Sequence, residues 1–134
     1  MPIDIVVDAM GSDKAPEPEI RGAVLAARQY DVRVHLVHLG GGASGHIKLI
    51  GSLFFDWIAA GKQVYTDASW AIGFAPRWLL SEIERRGFGE DRVVFASDEP
   101  WSDREGELAR MIAAAPDPEL ARHVFEDNFT ALYG

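Results

Sequence analysis

Four side chains that could act together in chemistry, Asp8, His38, Asp67 and Asp98, each stand near the end of an apolar run. The runs are Ile3 to Ala9, Val32 to Leu39, Gln63 to Ser69 and Arg92 to Ser97. If all four are strands pointing the same way, these residues gather at the C-terminal edge of one sheet, where α/β folds place their ligands. Three carboxylates and an imidazole suit an oxygen-preferring divalent cation such as Mg²⁺ or Mn²⁺, or Zn²⁺ more weakly. The competing reading makes them polar strand ends that are solvated or cap the following turns. Crowding so many carboxylates costs free energy unless a cation or a raised pKa relieves it.

A second candidate is the run Gly40-Gly41-Gly42, followed by Ser44 and Gly45. Bare backbone N–H groups there could wrap an anion at a helix N-terminus. The run lacks the Lys-Ser/Thr ending of a phosphate-binding loop, so a plain turn is the simpler reading. Ser12, Ser44, Ser69 and Ser97 do not lie in a Gly-x-Ser-x-Gly elbow, which removes the usual signature of a serine nucleophile. Trp57 and Trp78 fall at helical spacing and read as core, while Trp70 and Trp101 follow strand ends and could rim a pocket.

The elements that must carry these groups alternate. Helices are expected over Pro18 to Tyr30, from Ile47 to Ile58 with a break at Gly51, over Ala75 to Arg86, over Arg104 to Ala115 and over Pro118 to Leu132. Asp117 and Pro118 fit the N-cap and first position of the last helix. Four strands alternating with helices demand a mainly parallel sheet. The expected fold class is therefore a four-stranded α/β domain over residues 1–134, and a three-layer sandwich of flavodoxin or Rossmann type is favoured over a half-barrel. A half-barrel would leave an edge open to a second copy, giving a homodimer.

Composition narrows the function. With 48% hydrophobic residues in 134, the chain has the apolar content of one core. It has no cysteine, which excludes disulfides, zinc–thiolate sites and thiol nucleophiles. A net charge of -8 argues against nucleic-acid and anionic-membrane partners. No apolar run approaches the ~20 residues of a membrane span, and the opening residues carry no secretory pattern, so a cytoplasmic setting is expected.

The segment Ile5-Val6-Val7-Asp8-Ala9-Met10-Gly11-Ser12-Asp13-Lys14-Ala15-Pro16-Glu17 resembles the opening of bacterial phosphate acyltransferases, which make acyl-phosphate. The likeness continues through Gly22 to Arg28 and Val34 to Val37; Ser12 stands where a second glycine is common. From His38 the source changes. His38-Leu39-Gly40-Gly41-Gly42, then Val64 to Trp70, then Asp91 to Trp101 resemble strands six to eight of a metal-dependent amidohydrolase or decarboxylase barrel, and Asn128 matches in the closing helix. The chain thus reads as a chimera of residues 1–37 and 38–134, joined inside a strand.

By that resemblance His38 assists at the active site, and Asp98 binds metal or activates water. The family's paired histidines on strand one and its histidine on strand five have no counterpart, since the other histidines are His35, His46 and His123. A mononuclear zinc catalyst needs about three protein ligands. The expectation is a recombined or engineered chimera without complete catalytic machinery, whose property is folding and which needs no cofactor. One alternative is a reduced metal-dependent hydrolase using His38 and Asp98, with Asp8 replacing a lost ligand and Zn²⁺, Mg²⁺ or Mn²⁺ bound. The other is a small anion or phosphate-binding module built on the first loop and Gly40 to Gly42.

Overall fold

The computed structural model describes residues 2–9, 14, 17–40, 47–71, 73–115 and 117–134. Gly41, Gly42, Ser12, Ser44 and most of the first loop lie outside the described residues. Chain order is β1 (Ile3–Val7), α1 (Glu17–Gln29), β2 (Val32–Leu36), a tight turn (Val37–Gly40), α2 (Ile47–Ala59), β3 (Val64–Thr66) and α3 (Ala75–Arg86). A turn at Glu90–Arg92, α4 (Arg104–Ala114), α5 (Pro118–Arg122), a wide π-type turn (His123–Asp127) and α6 (Asn128–Tyr133) complete it.

The strands form a parallel sheet in the order β1-β2-β3, with Ile3 opposite Val32, Val7 opposite Leu36, and Leu36 opposite Thr66. The expected fourth strand is reduced to one parallel bridge, Val93 against Thr66, closed by a 2.9 Å bond from Val94 N–H to the Thr66 carbonyl. Two residues on, Phe95 N–H donates to the Val124 carbonyl at 3.0 Å. That bond takes the chain out of the ladder and gives its donor to the closing helical segment.

Strand alternation sorts the side chains. Val32, Val34, Leu36 and Val64 join the main core with Ile5 and Val7 packed against them, beside Phe54 and Phe55 of α2, Leu79, Leu80 and Ile83 of α3, and Met111 of α4. The opposite face carries Asp4, Arg33, His35 and Tyr65, and here α6 docks. Leu132 packs with Tyr65 and Val94. Arg33 clasps Asp4 in a forked pair at 2.5 and 2.7 Å and reaches the Ala131 and Leu132 carbonyls at 2.8 and 2.7 Å. Asn128 ties the same helix to the bridge segment, its Nδ2 donating to the Val93 carbonyl at 2.8 Å and the Glu90 carbonyl at 2.6 Å. Helical segments therefore meet both faces of the sheet, but the described strands follow chain order and show no reversal of the kind a doubly wound sheet has.

Two further expectations change. The second strand stops at Leu36 instead of Leu39, because His38 and Leu39 take left-handed backbone angles (φ 56° and 52°) that end the ladder. Val37 and His38 therefore lie in a turn and not inside a strand. The expected break at Gly51 is absent, and α2 runs through it. The Trp78 ring of α3 occupies the space where a Cβ on residue 51 would sit, so the glycine permits close approach of two helices. Gly51→Ala is expected to displace that ring and destabilise the fold by about 1–3 kcal/mol, as overpacking does. Urea unfolding followed by tryptophan emission checks this, and an unchanged midpoint would contradict the packing.

Candidate functional site

The described part of the site lies where β2, β3 and the Val93 segment end. Four non-glycine residues here have positive φ, namely His38, Leu39, Trp70 and Asp98. Such geometry costs about 1–3 kcal/mol per residue and persists only where surrounding contacts enforce it. Asp67 supplies much of the enforcement. Its carboxylate is completely buried and both oxygens are engaged. Oδ1 accepts the backbone N–H of Ser69 at 2.9 Å, that of His38 at 3.3 Å, and the Ser69 hydroxyl in a short bond. Oδ2 accepts His35 Nε2–H at 2.8 Å. The Asp67 carbonyl in turn accepts Leu39 N–H at 2.7 Å.

These contacts hold His38 in a defined pose. Its Nδ1 lies 2.9 Å from the Ser69 carbonyl and 3.0 Å from the Ser69 hydroxyl. Its ring meets Trp70 edge to face at 5.7 Å. Nε2 faces Asp98 Oδ1 at 3.7 Å. Trp70 is 44% exposed and could cover an incoming group, whereas Trp101, at 84%, stands out in solvent.

Burial pushes the Asp67 carboxyl up, but the hydrogen bonds from His35 and Ser69 outweigh it and hold the group below the usual carboxylate range. Burial raises the Tyr133 hydroxyl, which sits 2.5 Å from His35 Nδ1. The direction of the Asp67 shift fixes a pH dependence. A carboxyl with a folded pKa below its unfolded value of about 4 stabilises fully above that value and loses its contribution as pH falls through the folded pKa. Denaturant midpoints measured from pH 6 to pH 2 should therefore fall on the acid side, with a shallower fall in Asp67→Asn. Equal slopes for the two proteins would rule out this source of acid sensitivity.

The structure brings together three of the four residues singled out by the sequence. His38 and Asp67 are joined by a hydrogen bond, and Asp98 faces the His38 ring. Asp8 is exposed just beyond β1, the strand on the far side of β2. Gly40 closes the turn that contains His38. Sequence reasoning missed His35 and Tyr133 and gave Ser69 no partner. Position parity could have flagged His35: it alternates with Val34 and Leu36, so its imidazole must lie on the face opposite the main core.

This chain belongs to the amidohydrolase family, whose model matches residues 8–134. It is also similar over a short stretch to phosphate acyltransferases. It shares 74% identity over 34 residues with that of Acidobacterium capsulatum, covering 25% of this chain and 10% of the relative. With the enzyme of Koribacter versatilis it shares 73% identity over 37 residues, covering 28% and 10%. The chain thus spans about a tenth of the length of these curated relatives. The two likenesses are consistent with a chimera, although the amidohydrolase match begins well before the Val37–His38 boundary read from the motifs.

Metal-dependent chemistry needs a ligand set, and the described residues do not fit one. Asp67 directs both oxygens at internal donors, leaving His38 Nε2 and Asp98 as two ligands against the roughly three that a mononuclear centre requires. Among the described residues no group of three or more His, Asp or Glu side chains is arranged to hold a metal ion. Also among them, no helix is long and apolar enough to cross a membrane.

Proposed function

We propose that this chain is a recombined α/β protein, a folded scaffold that keeps an acid–base pair, His38 and Asp98, without a metal centre of its own. The observation that supports this most directly is the saturation of Asp67 by His35, His38 and Ser69, which turns a candidate ligand into a structural anchor. Calorimetric titration of the protein with Zn²⁺, Mg²⁺ and Mn²⁺ tests it. The expected result is no saturable binding. Stoichiometric binding that Asp98→Ala abolishes would refute the proposal and favour a reduced metal-dependent hydrolase.

A second reading has its own support in the 3.7 Å approach of His38 Nε2 to Asp98 Oδ1 beside the half-exposed Trp70. A water lying beside both groups could donate one proton to His38 Nε2 and direct the other at Asp98, whose charge balances the imidazolium that forms. Ester hydrolysis above background, lost in both His38→Ala and Asp98→Ala, would establish this activity. The phosphate-module alternative draws on the acyltransferase likeness. It predicts a thermal shift with phosphate, acyl-phosphate or nucleotide, and a flat response to all three removes it.

We read the Val93 bridge as the start of a fourth strand, so that four βα units in one domain follow chain order. The sandwich reading draws on the helices meeting both sheet faces, the half-barrel reading on the sequential strand order. The half-barrel leaves β1 as an edge with Ile3 and Val6 exposed at 67% and 58%, a surface suited to a homodimer. Light scattering would identify that dimer, and a monomer at high concentration would exclude it. The acidic charge speaks against a nucleic-acid partner.

A further inference from the structure

We propose that His35 is a positioning residue for His38, acting through Asp67 and Ser69 to fix the His38 ring as its Nδ1–H tautomer and leave Nε2 bare toward Asp98. The assignment follows from which atoms are able to donate. Asp67, ionised, only accepts, so His35 must give its Nε2–H to Oδ2 and Ser69 must give both its hydroxyl and its backbone proton to Oδ1. With its hydroxyl proton committed, Ser69 Oγ presents only lone pairs to His38, and the Ser69 carbonyl beside it likewise only accepts. His38 Nδ1 must therefore carry the proton. In the neutral ring Nε2 is then an acceptor, pointed at the one side of the site where Asp98 stands.

His35 starts this chain of bonds. It is buried, stands three residues before His38 on β2, and points away from the main core. Tyr133 of α6 meets its Nδ1 at 2.5 Å and holds the ring in the orientation that aims Nε2 at Asp67. Removing the His35 donor leaves Oδ2 buried beside an apolar side chain. Asp67 is then free to turn, and the Ser69 turn that receives Nδ1–H is no longer held. In water a neutral imidazole favours the Nε2–H form, so a released His38 drifts toward the tautomer that is useless as a base at Nε2.

The inference rests on reading His38 and Asp98 as the reacting pair, but its test reads a ring tautomer and needs no turnover. A fixed tautomer in an inactive protein would remove the chemistry and leave the positioning role standing. Long-range ¹H–¹⁵N correlation spectra of uniformly labelled protein distinguish the protonated from the bare nitrogen of each histidine. Wild type is expected to show His38 protonated at Nδ1 and bare at Nε2. His35→Phe should shift His38 to a mixture with at least half Nε2–H. His35→Gln, whose side-chain N–H reaches the same carboxylate oxygen, should restore the wild-type pattern. An Nε2–H tautomer in wild type, or an unchanged His38 in folded His35→Phe, overturns the proposal. If His35→Phe does not fold, Tyr133→Phe replaces it: that variant removes the hydroxyl that orients the His35 ring, a shift of His38 toward Nε2–H supports the proposal, and an unchanged His38 overturns it.

Discussion

Asp67→Ala is expected to lower the unfolding free energy by about 3–5 kcal/mol, because several buried donors lose their acceptor at once and each buried group left unpaired costs about 1–3 kcal/mol. The substitution strips four donors of their acceptor at once: His35 Nε2–H, His38 N–H, and the N–H and O–H of Ser69. One of the left-handed residues, His38, also loses a restraint, so the turn after β2 should loosen with the fold. Asp67→Asn keeps the shape and an accepting oxygen, and should cost about 1–3 kcal/mol, the penalty of one or two compromised buried bonds. Guanidinium unfolding of both variants at neutral pH checks the order. A loss below 1 kcal/mol in Asp67→Ala would mean that water replaces the carboxylate readily, and the site would not be the anchor described.

Phe55→Ala should produce a loss of similar size, about 3–5 kcal/mol, by a different route. The ring is fully buried, meets Phe54 at 5.4 Å and Phe88 at 6.0 Å edge to face, and lies 4.5 Å beneath the Arg86 guanidinium. Truncation removes apolar burial and leaves a cavity among α2, the end of α3 and the following turn. Edge-to-face pairs contribute about 0.5–1.5 kcal/mol beyond area, so Phe55→Leu should fall between wild type and alanine. If leucine costs nothing relative to wild type, the aromatic contacts contribute nothing measurable.

Much of the architecture could be read in the chain because its signals are local. The apolar spacing of α3 placed its boundaries at Ala75 and Arg86, and the structure ends the helix there with Gly87 in a left-handed cap. Asp117 and Pro118 marked the start of α5, and the Asp117 side chain does accept Glu119 N–H at 3.1 Å. What escaped was set by distant contacts. Apolar residues from Val93 to Ala96 suit a strand, yet the pull of Val124 on Phe95 N–H is invisible from the segment itself. Gly51 reads as a helix breaker until Trp78, far along the chain, is known to need its space.

The site divides in the same way. His38, Asp67 and Asp98 were legible because each follows an apolar run, and the sheet does bring them to one edge. Their roles were not legible. A metal set and a hydrogen-bond anchor use the same residue types, and only the orientation of the Asp67 oxygens separates the two. His35 was passed over because a histidine within a strand resembles any other polar interruption. Its importance comes from Tyr133, which approaches across 98 positions of sequence.

The grip of Arg33 on the Ala131 and Leu132 carbonyls spans 98 and 99 positions. Contacts of that separation close very long loops, and loop closure must precede any reward from them. During synthesis β1 and β2 would therefore leave the ribosome as a pair with one bare face, and wait for nearly the whole chain before α6 arrives to cover Arg33 and His35. The β1–β2 pair thus matures only once a helix about a hundred residues further on has emerged.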